Sequence, residues 1–224
     1  MNIEDTFLKI KTPEINRPIG LNPDKNTKVA KVTETKEVDV AQIQNLRTEI
    51  LTALGDKKVI LDAVRKKVEN ATDAVGHPIE VGIKETVVMF NAFELPTTQS
   101  CEGHIDLETR SGPRQTMGPW VEIYPEEPTQ EGWQNDDELR RKVEEESDRY
   151  LAKATTLLNE FYANREVFGD EKIGTEPMAY GFRVQSSGLE KLKNPNDKNQ
   201  QEKGKIYQKE MERFTLFLKE KFLS

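Results

Sequence analysis

The chain has 224 residues, a formal net charge of −7 at pH 7, and 33% charged residues. Hydrophobic residues make up 35% of the chain, and even with its 13 glycines counted the apolar share stays below that of a typical compact domain, so solvated segments are expected beside a core. One cysteine and two histidines exclude an intrachain disulfide, a four-cysteine zinc site and a histidine-rich cage. The sequence contains no apolar run that could span a membrane and no secretory pattern at its start, so we expect a cytoplasmic protein without a membrane partner.

The acidity is concentrated in one segment. Residues 126–149 hold ten acidic and four basic residues, which accounts for six of the seven net negative charges. No basic stripe that could follow a phosphate backbone is visible elsewhere, so nucleic acid is not an expected partner.

The first third of the chain divides into an arm and a helical part. Residues 1–37 contain three prolines among polar residues and are predicted to be a flexible arm. Residues 38–76 are predicted to be a helical extension, because apolar residues recur at three- and four-residue steps on both sides of Gly55. This pattern indicates two helices, 40–54 and 57–70, as a hairpin or one kinked rod. A homo-oligomer or a protein partner bound through these helices is compatible with the pattern.

Residues 77–224 are predicted to form an α+β domain, a small β-sheet covered by helices. The run 80–95 has β-branched residues but helical spacing, and we interpret it as a helix. Residues 187–205 contain few apolar residues and are interpreted as a linker, and 107–118 as a loop. The remaining predicted elements are strands at 97–101, 120–124 and 178–186 and helices at 136–164 and 206–223.

The densest run of chemically capable residues lies at the end of the predicted strand 97–101. It reads Ser100-Cys101-Glu102-Gly103-His104-Ile105-Asp106. We take Cys101 and His104 as candidate catalytic residues. If strand 120–124 pairs with strand 97–101, further residues approach this turn, and the candidate binding residues are Ser100, Glu102, Gly103, Asp106, Trp120, Glu122 and Arg183.

Several chemistries fit this run. A nucleophilic thiol at Cys101 needs a neighbouring base, which His104 could provide. A zinc site could use the same two residues with a carboxylate from Glu102, Asp106 or Glu122 to complete it. A small ligand could use the close backbone approach that Gly103 allows and the face of Trp120. In a fourth interpretation the motif only braces the fold, and the domain serves as an interaction or structural protein.

The motif also has a resemblance. The pattern T-x-x-S-C-x-G-H, from Thr97 to His104, followed by Pro119-Trp120-Val121, resembles one that recurs in uncharacterised bacterial and phage proteins. This resemblance extends into the later helices, does not cover the N-terminal third, and implies no activity. It implies that four residues are important for the protein, without indicating their role: Ser100, Cys101, Gly103 and His104. A fainter likeness is to the Ser-Cys-Ser-Gly-Arg run of the tRNA wybutosine-synthesis methyltransferase family, although His104 stands where that run has arginine.

The sequence therefore predicts a small-ligand or catalytic site at the Ser100–His104 turn. Arg183 lies on the polar side of its predicted strand, where it could reach an anionic ligand. The sequence does not indicate whether the chain is an enzyme, and it does not identify a cofactor.

Overall fold

The structure, a computed structural model, describes residues 40–72, 76–105 and 116–224, with side chains described from residue 51 onward. The described elements follow in chain order: α1 (Val40–Glu69), α2 (Val81–Ala92), β1 (Thr97–Cys101), β2 (Trp120–Ile123), α3 (Asp137–Tyr162), β3 (Ile173–Pro177), β4 (Phe182–Ser186) and α4 (Lys198–Leu223). The predicted α+β class is confirmed. The predicted arm, 1–37, lies outside the described residues. None of the described helices is long and apolar enough to cross a membrane.

The four strands form one antiparallel sheet in the order β1-β2-β4-β3. Alternation along β2 places Val121 and Ile123 on one face and Trp120 and Glu122 on the other. Val121 and Ile123 are fully buried in the main core together with residues of all four helices. The opposite face carries the polar residues and a smaller apolar cluster, and the candidate site lies there.

The run 80–95, ambiguous in sequence, is helical, as predicted. Helix α2 is apolar on most of its surface because it packs against α1, α4 and β1 at once. Val88, Met89 and Phe90 are three consecutive residues without exposed surface. A continuous apolar run of this kind lacks the one-sided stripe of a surface helix, which explains its resemblance to a buried strand.

Of the two arrangements predicted for residues 40–70, the hairpin is wrong, and the helix does not end at Gly55. Helix α1 is continuous from Val40 to Glu69. Glycine inside a helix costs only about 1 kcal/mol relative to alanine, which is too little to end a helix that packing stabilises elsewhere. Leu61 and Val68 of α1 are buried in the main core, and Val40–Ser224 form one compact unit.

Two predicted boundaries in the C-terminal half are also wrong. The strand expected over 178–186 is restricted to β4, and a strand that the sequence did not reveal, β3, pairs with it. The segment 187–205 is not a linker throughout, because α4 begins at Lys198. Leu189 and Leu192, its apolar residues, are buried in the smaller cluster.

Candidate functional site

The Cys-x-Gly-His turn begins where β1 ends. Cys101 is the last residue of β1 and pairs in register with Trp120 of β2. The backbone then turns at Gly103, which has a φ of +87°. A Cβ at Gly103 would lie 2.8 Å from the carbonyl carbon of Gly118, so only glycine lets the two backbones approach this closely. The turn brings His104 back towards the end of the sheet.

Cys101 is buried, with 2% of its surface exposed. It packs in the smaller apolar cluster, whose other members are Met117, Trp120, Leu189, Leu192 and Tyr207. The backbone N–H of Gly103 donates to its sulfur at 3.4 Å. Burial raises the pKa of the Cys101 thiol, because the thiolate loses solvation in this surrounding.

His104 is buried beside a carboxylate that the sequence analysis did not single out. Its ring atom Nε2 lies 2.7 Å from Oε1 of Glu80. Its backbone N–H donates to the carbonyl oxygen of Thr116 at 2.7 Å, which holds the turn against the segment before β2. The other carboxylate oxygen of Glu80 accepts from the backbone N–H of Glu102 at 2.7 Å. Glu80 therefore contacts both a side chain and the backbone of the motif.

The N-terminus of α2 is capped by Glu102 and not by Glu80, the residue at the N-cap position. Glu80 occupies the N-cap position, but its carboxylate makes no cap hydrogen bond to its own helix. Instead, Oε2 of Glu102 accepts from the backbone N–H of Gly82 at 2.7 Å. The motif thus caps the helix, which satisfies one of the free N–H groups at its start. The carboxylate of Glu80 therefore makes no hydrogen bond to the helix N-terminus and contacts His104 instead.

The result is a cluster of three potential metal ligands. One ligand atom each from Glu80, Cys101 and His104 lie within 4.8 Å of one another. Among the described residues, no other group of three or more His, Cys, Asp or Glu side chains is clustered in this way. Two members of the cluster, Cys101 and His104, were predicted from the sequence. Glu80 was missed because it precedes the motif by 21 residues, and only the packing of α2 against β1 brings it close. Its position just after Gly76-His77-Pro78, at a helix start, was the only signal in the sequence.

The structure brings a second group of predicted residues together on the polar face of the sheet. Arg183 donates to Oε1 of Glu122 at 2.6 Å. Its guanidinium carbon lies 4.1 Å from the centre of the Trp120 ring. Arg183 therefore covers one face of the Trp120 indole, which was predicted to be available for stacking against a ligand. The positive charge of Arg183 is already paired with the carboxylate of Glu122.

The remaining candidate residues that the structure describes supply no ligand atom to the cluster. Ser100 pairs with Val121, so its side chain is on the opposite face of the sheet from Cys101. Glu102 and Gly103 support the cluster through backbone and cap contacts. Asp106 lies outside the described residues. His77 is exposed and does not belong to the ligand cluster.

Comparisons with other proteins return no relative. No family model matches the chain, and neither the curated proteins nor the solved structures include a significant match. The motif resemblance stays a prediction from sequence.

Proposed function

We propose that this domain binds a divalent transition-metal ion, with zinc preferred, through Glu80, Cys101 and His104. The observation that carries the proposal is the clustering of one oxygen, one sulfur and one nitrogen ligand atom within 4.8 Å. Thiolate and imidazole together select zinc over magnesium and calcium, which prefer oxygen ligands alone. Three protein ligands leave the fourth position of a tetrahedral zinc to water or to a substrate.

The cluster needs a small adjustment to hold zinc. With zinc bonds of about 2.0 Å to nitrogen and about 2.3 Å to sulfur, tetrahedral ligand atoms lie about 3.5 Å apart. The contact between Glu80 and His104 is shorter, at 2.7 Å, so the metal would replace this hydrogen bond and separate the two groups. A separation of up to 4.8 Å between ligand atoms would shorten by about 1 Å, and the Glu80 side chain, which is 28% exposed, has room to rotate as part of this adjustment.

Metal binding accounts for the surroundings of Cys101 better than nucleophilic catalysis does. A nucleophilic cysteine is normally accessible and has a lowered pKa. Cys101 is buried, and burial raises its pKa. A bound zinc ion reverses this preference, because a coordinating thiol loses its proton to the metal. A cytoplasmic location, where thiols stay reduced, suits a cysteine ligand.

Cobalt substitution tests the proposal. Co²⁺ bound by a thiolate gives a charge-transfer band in the near ultraviolet, and the chain has a single cysteine, so this band would report on Cys101 alone. We expect one Co²⁺ per chain in the metal-free wild-type protein, displaced by Zn²⁺. Cys101→Ser should abolish the band, and His104→Gln and Glu80→Gln should each weaken Zn²⁺ binding roughly tenfold or more in competition with a chromogenic chelator.

The matched control is His77→Gln, which removes the chain's other histidine and leaves the cluster intact. It should bind Co²⁺ and Zn²⁺ as the wild type does. Circular dichroism checks that each variant remains folded. The proposal fails if the wild-type protein shows no thiolate band. It also fails if folded His104→Gln and Glu80→Gln proteins bind zinc with wild-type affinity.

A further inference from the structure

The polar face of the sheet contains a cavity that is separate from the metal ligands. Its volume is about 450 Å³, within the usual range for small-molecule sites. The residues that line it include Gln99, Thr116, Trp120, Glu122, Arg183 and Glu190. None of the three proposed metal ligands lines it, although the Thr116 hydroxyl lies 4.0 Å from the sulfur of Cys101.

The base of this cavity holds polar groups that are already largely removed from water. Glu122 is 7% exposed and Trp120 is 3% exposed. Among the described residues, Arg183 is the hydrogen-bond donor to the Glu122 side chain, and it donates to Oε1. Buried carboxylates normally accept several hydrogen bonds, so its second oxygen has capacity for a donor.

Two donors beside Glu122 also have no partner. The indole N–H of Trp120 and the Nε–H of Arg183 are buried without a hydrogen-bond acceptor. Leaving buried donors unpaired is costly, and most proteins avoid it. A ligand that presents an acceptor would satisfy them. The side chain of Arg183 is 25% exposed, so a small shift that keeps its guanidinium over the Trp120 ring can open both donors to the cavity.

The charges of the cavity restrict the ligand. Among the described residues that line it, two are carboxylates, Glu122 and Glu190, and one is a guanidinium, Arg183. An anion would be repelled by this excess of negative charge. A simple alkylammonium ion could pair with a carboxylate but would leave both unpartnered donors without an acceptor. The complementary ligand therefore has an acceptor and a donor side by side and no net charge.

We propose that this cavity binds an uncharged planar molecule with a lactam edge, a carbonyl group beside a ring N–H, of the size of a nucleobase or nucleoside. The carbonyl accepts from the Trp120 indole and the Arg183 Nε–H, and the ring N–H donates to Glu122. A flat ring also suits the stacked Arg183 and Trp120 at the base of the cavity. This site goes beyond the proposed metal binding and does not depend on it.

Nucleoside pairs that differ by one methyl group test the proposal on the wild-type protein. Guanosine and uridine have the lactam edge, whereas 1-methylguanosine and 3-methyluridine lack its N–H, and adenosine lacks the lactam altogether. Isothermal titration calorimetry, with chelator present to remove any bound metal, should detect guanosine or uridine. Methylation should weaken binding roughly tenfold or more, since it leaves the buried carboxylate without a donor. Guanosine monophosphate should bind no better than guanosine.

Variants locate the site. Glu122→Gln should weaken binding of the tighter nucleoside roughly tenfold or more, because the amide replaces a charged acceptor. Glu190→Gln is the matched control at the exposed rim, and we expect it to change affinity less than Glu122→Gln does. The proposal is overturned if no probe binds at about 1 mM, if adenosine or the methylated nucleosides bind equally well, or if a folded Glu122→Gln protein retains wild-type affinity. The comparison of nucleosides needs no variant, so a variant that fails to fold does not prevent the test.

Discussion

Gly103 determines where His104 can lie. Its positive φ is a conformation that residues with a side chain rarely adopt, and its Cα faces the backbone of Gly118 without space for a methyl group. Because the next residue is His104, any shift of this turn moves the imidazole relative to Cys101 and Glu80. The glycine of the motif is therefore required by geometry, whether or not a metal is bound.

Gly103→Ala should lower the free energy of unfolding by about 3 kcal/mol, of which roughly 1 comes from the left-handed backbone and roughly 2 from overpacking against Gly118. Urea denaturation measures the change. Gly76→Ala is the matched control, since Gly76 has a φ of +84° but open space around its Cα. It should lose only the roughly 1 kcal/mol of backbone strain. Equal losses in the two variants would contradict the close approach at Gly118.

The residues of the motif could be predicted from the sequence, but the side chains that contact them could not. Cys101 and His104 are recognisable because these residue types are rare in the chain and lie beside a glycine. Glu80 is one of 40 acidic residues and acquires its role only when α2 packs beside β1. The contact of Arg183 with Trp120 depends in the same way on the pairing of β2 with β4, which the sequence did not specify.

The continuity of α1 has a direct consequence at Gly55. This glycine has no positive φ, and a Cβ there would have no atom within 4 Å. Helix α1 continues on both sides of Gly55. Alanine at this position therefore reduces the backbone entropy of the unfolded chain and improves the helix propensity, without a steric clash.

Gly55→Ala should therefore raise the free energy of unfolding by about 1 kcal/mol, measured by urea denaturation. Gly76→Ala is again the control, because it also has open space but lies in the left-handed region, and it should change stability in the opposite direction. A loss of stability in Gly55→Ala would show that the chain breaks at this position, as the sequence pattern had indicated.

Most elements could be predicted from their residue pattern, but the edge strand β3 and the first turns of α4 could not. Helix α3 has a stripe and an Asp136 cap that accepts from Glu138 and Leu139. Strand β3 has the sequence Ile-Gly-Thr-Glu-Pro, with one buried residue, and lies at the edge of the sheet, where glycine and proline are tolerated. The first turns of α4 are mostly polar, so its start at Lys198 left no periodic signal.

At the scale of the whole molecule, the candidate metal cluster joins segments that are distant in the chain. Glu80 belongs to the start of α2, and Cys101 and His104 belong to β1 and the turn after it. Gln208 of α4 donates to the carbonyl oxygen of Gly103 at 2.8 Å, which adds the last helix to the same turn. A metal bound here would hold the helical layer against the end of the sheet, so its binding energy should appear as folding stability.

Zinc should therefore stabilise the folded protein by mass action. With free Zn²⁺ at about 100 times its dissociation constant, the free energy of unfolding should rise by about 2.7 kcal/mol, provided that the unfolded chain binds the metal weakly. One cysteine and two histidines give the unfolded chain few ligands, which favours this condition. Urea denaturation of the wild-type protein with Zn²⁺ and with chelator measures the difference.

Cys101→Ser is the appropriate control for this measurement, because serine keeps the size of the side chain and loses the thiolate. Its stability should be the same with Zn²⁺ and with chelator. Mg²⁺ at the same concentration should leave the wild type unchanged, since a site with sulfur and nitrogen ligands does not suit this ion. An equal zinc effect in the wild type and in Cys101→Ser would place the bound metal elsewhere on the protein and contradict its role as a link between α2 and the turn after β1.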